Sequence, residues 1–162
     1  MGLEISEAGY NDLFECARIA ARAWEKGYAE YKEILGEDLF NVIFPDWKKA
    51  KVDSMEPFFQ GNRDRQAFKV EADGVIAGFV TVQLDRIRRI GVICNNAVDP
   101  DFQGRGIGSA MYDLVLEMFR SEGMVAAEVS TMNEDAYIPA RKAYEKAGFD
   151  RKLEKLTYYM KL

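Results

Sequence analysis

The sequence predicts a mixed α/β fold, one domain spanning residues 1–162 with helices packed on a central sheet. Three observations predict it. Six stretches rich in β-branched and aromatic residues, at 3–6, 66–71, 75–85, 90–98, 124–131 and 155–162, read as strands. Amphipathic stretches with apolar residues three and four apart lie among them and read as helices. The chain has 162 residues, 48% hydrophobic and 30% charged, which suits one domain with a substantial core and leaves no segment of disordered composition.

Residues 3–6 alternate as a short first strand, which Gly9 interrupts. Asn11 or Asp12 caps the first helix, where Leu13, Ala17, Ala20 and Trp24 share one face. Beyond Gly27 the segment 28–59 is rich in aromatics: Tyr28, Tyr31, Phe40, Phe44, Trp47, Phe58 and Phe59. Its helical stretches, 28–35 and 47–59, are separated by Gly36 and Pro45. These rings either pack against the sheet or line a pocket, and the area that aromatics bury favours packing. Asp73-Gly74 between two apolar alternations marks a hairpin. The strand at 90–98 enters a loop, and a helix follows with Ile107, Met111, Leu114, Val115, Met118 and Phe119 on one face, ended by Gly123. Residues 124–131 then run parallel to the strand before the loop. Pro139 suits a first helical turn, so the last helix starts near Ile138 and stops at Gly148. Residues 155–162 close the sheet, with Leu156, Tyr158 and Met160 alternating against Thr157, Tyr159 and Lys161.

A net charge of −5 argues against a nucleic-acid partner, and the tight cluster of Arg86, Arg88 and Arg89 reads as a solvated strand end or hairpin. Residues 1–10 carry Glu4 and Glu7 and lack the apolar run of a signal peptide. No stretch approaches the roughly 20 apolar residues of a membrane span, so a cytoplasmic location is expected. Cys16 and Cys94 read as buried thiols, and no metal site is expected. Histidine is absent, which removes Ser-His-Asp and Cys-His catalysis and most zinc geometries. Proton transfer has to use carboxylate, tyrosine, lysine, cysteine, an amino terminus or water.

The stretch 97–109, Ala-Val-Asp-Pro-Asp-Phe-Gln-Gly-Arg-Gly-Ile-Gly-Ser, carries the functional signal. A strand feeding a glycine-rich turn that opens a helix points several free backbone N–H groups at one anion, so this loop should bind phosphate. Gly104, Gly106 and Gly108 let the backbone approach a ligand closely, and Arg105 adds positive charge. The nucleoside-triphosphate loop needs a lysine, but Ser109 and Ala110 follow Gly108. The dinucleotide fingerprint needs a third glycine where Ser109 stands.

The stretch resembles the coenzyme A loop of the GNAT superfamily of N-acetyltransferases. Val98-Asp99-Pro100 and Gln103-Gly104-Arg105-Gly106-Ile107-Gly108 fill its first pattern, and Tyr144-Glu145-Lys146-Ala147-Gly148-Phe149 fills a second block. The resemblance covers residues 66–162 well and the first third in outline. It implies a mixed, mostly antiparallel twisted sheet of about six to seven strands with about four helices, and acetyl-CoA as cosubstrate. It further implies that Gln103 and the amides of Gly104, Arg105, Gly106, Ile107, Gly108 and Ser109 hold the pyrophosphate. The backbone of Asn96, Ala97 and Val98 would pair with the pantetheine arm, and a strand N–H near Ala97 would face the oxyanion. Tyr144 matches the position that commonly protonates the departing thiolate. The polar side chain that contacts pantetheine has its nearest counterpart in Asn133, eleven residues before Tyr144.

The strand at 90–98 lacks the glutamate that some members use as general base. Glu71 and Glu128 are the carboxylates on neighbouring strands, and a water chain serves equally. The expected reaction is acetyl transfer to a primary amine by direct attack in a ternary complex. The alternative is a non-catalytic acyl-CoA binding or sensing module. The acceptor stays open among polyamine, amino acid, antibiotic, peptide amino terminus and protein lysine. The resemblance leaves room for a homodimer, a common state in the family.

Overall fold

A computed structural model describes residues 2–162. Strand β1 (Leu3–Glu7) leads through a single 3-10 turn into helix α1 (Leu13–Leu35), followed by α2 (Glu37–Ile43) and α3 (Trp47–Gln60). Strands β2 (Arg65–Ala72), β3 (Val75–Asp85) and β4 (Ile90–Val98) form a meander. Helix α4 (Ile107–Ser121), strand β5 (Ala126–Val129) and helix α5 (Ile138–Ala147) complete the regular structure.

The sheet has five strands in the order β1-β2-β3-β4-β5, antiparallel throughout except for the parallel pair β4 and β5. The hairpin at Asp73-Gly74 forms with both residues at positive φ, as a two-residue primed turn requires. Strand β3 is buried along almost its whole length because both faces of the sheet are covered. Val80, Val82, Leu84 and Ile93 join Ile107, Met111, Val115 and Phe119 of α4 in one cluster. Phe79, Ala67 and Ala97 join Cys16 and Ile19 of α1 and Met55, Phe58 and Phe59 of α3 in another.

Three expectations are corrected. The sheet has five strands rather than six to seven, because residues 149–162 form no strand. Leu156, Tyr158 and Met160, the side chains of the expected closing strand, are 75%, 86% and 75% exposed. Strand β5 is four residues long, shorter than the expected 124–131, so an added strand would gain only a short ladder against the entropy of ordering it. Helix α1 joins the expected first helix to the stretch 28–35 through Gly27, and a further short helix, α2, follows Gly36 (φ 75°) where no helix was expected. Gly27 leaves a notch in the helix: a Cβ there would lie 2.3 Å from the hydroxyl oxygen of Tyr137. Helix α5 begins at Ile138, with Pro139 in its first turn as expected. No helix among the described residues is long and apolar enough to cross a membrane.

The packing of α4 on β4 depends on Gly91, where a Cβ would lie 2.3–2.5 Å from ring atoms of the buried Phe119. Gly91→Ala is therefore expected to lower unfolding free energy by about 1–3 kcal/mol. Gly9→Ala, with nothing near the added methyl, should stay within about 0.5 kcal/mol of the parent. Urea midpoints at unchanged slope check both.

Candidate active site

The site is built where β4 leaves regular geometry. Val82 pairs with Ile93 but Val80 pairs with Asn96, so Thr81 alone faces Cys94 and Asn95. This is a bulge with one extra residue in β4. The Thr81 hydroxyl replaces the missing ladder partner, accepting the Asn95 N–H at 2.8 Å and donating to the Asn95 carbonyl at 3.3 Å. In a regular strand Ile93 and Ala97 would share a face. The bulge sends Ile93 to the α4 side and Ala97 to the α1 side, and it turns Asn96 toward α4 and α5.

Beyond the bulge β4 also loses its parallel neighbour. Pairing with β5 ends at Ile93 and Val129, while β4 continues to Val98. The β5-facing edge of residues 94–98 is thus left without a ladder partner, and this open edge can receive an extended ligand.

Asn96 lies between two phenols. The Tyr112 hydroxyl donates to Asn96 Oδ1 at 2.8 Å, which orients the amide so that Nδ2 donates to the Tyr144 oxygen at 3.2 Å. The two rings meet edge to face at 5.4 Å. Burial pushes the Tyr144 hydroxyl above the usual phenol range, and its contacts with Asn96 and Tyr112 pull it partway back. The Tyr-x-x-x-Gly-Phe block has a conformational reason. Gly148, at φ 106°, and Phe149 donate their N–H groups to the carbonyls of Glu145 and Tyr144, both at 3.1 Å. That pair of bonds closes α5 and lays Phe149 against the Tyr144 ring, 6.1 Å between centroids.

The glycine-rich loop follows Asp99. Gly104 and Gly106 take φ of 76° and 80°, and at neither would a Cβ meet any atom within 4 Å. Glycine is needed there for the backbone angle, and the space above is open. Gly108 is helical, and a Cβ on it would make ordinary contacts with Tyr112 and Val98. The Ala110 N–H reaches the Gly106 carbonyl at 3.0 Å, so the amides of Ile107, Gly108 and Ser109 are the unpartnered first donors of α4. Gln103 Nε2 donates to the Val98 carbonyl at 3.3 Å, and Arg105 Nη2 donates to the Asp101 carbonyl at 3.0 Å while its guanidinium lies over Phe102. These amides, aimed at one open space at a helix start, fit a diphosphate.

The structure joins Asn96 to Tyr144 by a hydrogen bond, and Asn96, Ala97 and Val98 form the open edge of β4 that leads into the loop. Asn133 lies exposed between β5 and α5, with no hydrogen bond to this group. Glu71 sits on β2, paired with β1 and β3 and 3.7 Å from Lys69, while Glu128 is exposed on β5 beside the paired part of β4. Sequence reasoning missed Tyr112 and the two arginines, Arg18 and Arg22, that bind Asp99. Spacing on α4 places Tyr112 next to the Met111 face, but only the bulge explains its partner.

The aromatic segment packs largely on itself. Tyr28 stacks on Trp47 at 4.0 Å, and Tyr31 stacks on Phe44 at 5.7 Å and on Tyr137 at 6.1 Å. An open groove of about 600 Å³ runs between α1 and α3, lined by Leu13, Phe14, Ala17, Trp47 and Val52 among others. None of its lining residues belongs to the loop, β4 or α5.

A sheet opened between two parallel strands, next to a glycine-rich helix start, is the architecture of an acyl-CoA-dependent transferase. The chain belongs to the acetyltransferase (GNAT) family, whose model matches residues 21–149. Acetyl-CoA is the acetyl donor of that family. The chain is similar to the ribosomal protein bS18-alanine N-acetyltransferase of Salmonella typhimurium, 29% identical over 106 residues covering 64% of this chain and 69% of that protein. It is also similar to the uncharacterized N-acetyltransferase MJ1207 of Methanocaldococcus jannaschii, 34% identical over 98 residues, 56% of this chain and 42% of that one. Among solved structures, the PaiA N-acetyltransferase of Thermoplasma acidophilum in complex with coenzyme A matches with a TM-score of 0.73 at 18% identity, over 94% of this chain and 92% of that chain. The aminoglycoside acetyltransferase AAC(6')-Iy bound to a CoA-neamine bisubstrate analogue matches with a TM-score of 0.69 at 17% identity, over the full length of both chains.

The buried tyrosines carry a pH dependence. Burial pushes the Tyr28 hydroxyl up to about 12, against about 10 for a phenol in the unfolded chain. Between those values the native state holds a proton that the unfolded state has lost, so stability is expected to fall as pH rises through this window. Tyr28→Phe should flatten part of that fall, read from urea unfolding on either side of about pH 10.

Proposed function

We propose that residues 1–162 act as one N-acetyltransferase domain that moves the acetyl group of acetyl-CoA to a primary amine by direct attack in a ternary complex. The observation that carries this reading is the open edge of β4 at residues 94–98, continuous with the unpartnered amides at the start of α4. In this reading the amides of residues 104–109, with Gln103 and Arg105 framing the turn, hold the diphosphate, where the helix dipole adds about 0.3–1 kcal/mol. Backbone groups of Asn96, Ala97 and Val98 pair with the amides of the pantetheine arm as an added strand would.

The neutral amine attacks the thioester carbonyl, a C–N bond forms, and a strand N–H near Ala97 faces the developing oxyanion. As the C–S bond breaks, the thiolate takes the Tyr144 proton. The hydrogen bonds suit that role: Tyr112 orients Asn96 through a 2.8 Å bond, Asn96 donates to the Tyr144 oxygen at 3.2 Å, and the Tyr144 O–H has only a long 3.5 Å contact to Asn96 Oδ1 to give up when it donates to the thiolate. Its raised pKa keeps the phenol protonated at neutral pH. Water carries the proton from the attacking ammonium, as Glu71 lies on β2 paired with β1 and β3, and Glu128 stands opposite Val92 in the paired part of β4.

Calorimetry with acetyl-CoA and a thiol-release assay over an amine panel test the proposal. The panel should include a polyamine, an aminoglycoside, an amino acid and a peptide with an amino-terminal alanine. Saturable donor binding with thiol release on one of these is expected, whereas binding without release on any amine would favour a sensing module. Tyr144→Phe should lower kcat about 100-fold with little change in donor affinity. Unchanged kcat would remove the acid role.

A further inference from the structure

Helix α1 presents Arg18 and Arg22, one turn apart, to the end of β4. Arg22 Nη1 lies 2.7 Å from both oxygens of Asp99, and its Nη2 lies 3.0 Å from Asp101 Oδ2. Arg18 adds a 3.3 Å contact to Asp99 but is shared with Glu15 at 2.6 Å. Arg22 is thus the side chain that bridges the two carboxylates.

Those carboxylates stand immediately before the glycine-rich turn. Asp99, 2% exposed, accepts the Asp101 N–H at 3.0 Å and so shapes the 3-10 turn Pro100–Phe102. The Asp101 carbonyl in turn holds Arg105 at 3.0 Å. The loop therefore uses Asp99 for its shape. Two negative charges beside an anion site oppose a diphosphate, strongly so where low-dielectric protein lies between them.

We infer that Arg22 is a positioning residue for the donor: it neutralises Asp99 and Asp101 and ties them to α1, which keeps the loop both folded and receptive to the diphosphate. This rests on the reading of the loop as the coenzyme A diphosphate site. A guanidinium suits the task because its planar fork reaches two carboxylates at once.

The test compares KM for acetyl-CoA with KM for acetyl-pantetheine, a thioester that ends before the diphosphate. Arg22→Met is expected to raise KM for acetyl-CoA about fivefold or more at low salt, with the gap shrinking as salt rises. KM for acetyl-pantetheine and kcat should stay within about twofold, and Arg22→Lys should recover part of the loss because it restores the charge. Equal losses on both donors would mark a merely structural arginine and overturn the inference, as would an unchanged KM for acetyl-CoA. If Arg22→Met does not fold, Asp101→Asn decides: KM for acetyl-CoA should fall about twofold at low salt. An unchanged or raised value would overturn the inference. A parent enzyme that used both donors with equal KM would instead overturn the diphosphate reading of the loop.

Discussion

The candidate site depends on one interruption of the sheet, the place where β4 gains a residue against Thr81 and then parts from β5. A continuous β4 would keep its alternation, and Asn96 would face α1 instead of Tyr112 and Tyr144. A β5 paired along the whole of β4 would fill the edge at residues 94–98. A single hydroxyl, that of Thr81, satisfies the backbone at the irregular step. The price is a shortened ladder, and the large clusters on both faces of β3 are what make that tolerable.

The loop and the phenols answer different needs on the same strand. At the helix start, side chains are kept away: Gly104 and Gly106 occupy backbone angles that leave open space above them. A few residues earlier, side chains are crowded together, and Asn96 links Tyr112 to Tyr144 across two helices. Helix α4 serves both, since its first turn supplies free amides and its second supplies Tyr112. Through Tyr112, α4 thus links the glycine-rich turn to the Asn96 pair of phenols.

Much of this was legible in the residues. Period-two runs and the Asp73-Gly74 turn located the meander, Pro139 and Gly148 marked the ends of the last helix, and the alternating glycines pointed to the turn that opens α4, while Tyr144 was picked out only by the family resemblance. What was not legible has a common cause, long-range pairing. Nothing near Thr81 announces an extra residue fourteen positions later, and Arg22 is 77 residues from Asp99. The same cause explains the closing strand: the alternation at 155–162 is present in the sequence, but a strand needs an edge to pair with, and β5 offers four residues. Helix α1 continues through Gly27, whose propensity cost of about 1 kcal/mol packing overrides.

Gly27 has a consequence for exchange of segments among related chains. The Tyr137 ring lies in the notch it leaves, so one wall of the pair comes from the first helix and the other from the approach to the last, 110 positions apart in the chain. Substitution at either position constrains the other: a bulkier residue at 27 calls for a smaller one at 137. A chimera that joins the front half of one relative to the back half of another inherits two surfaces shaped for absent counterparts.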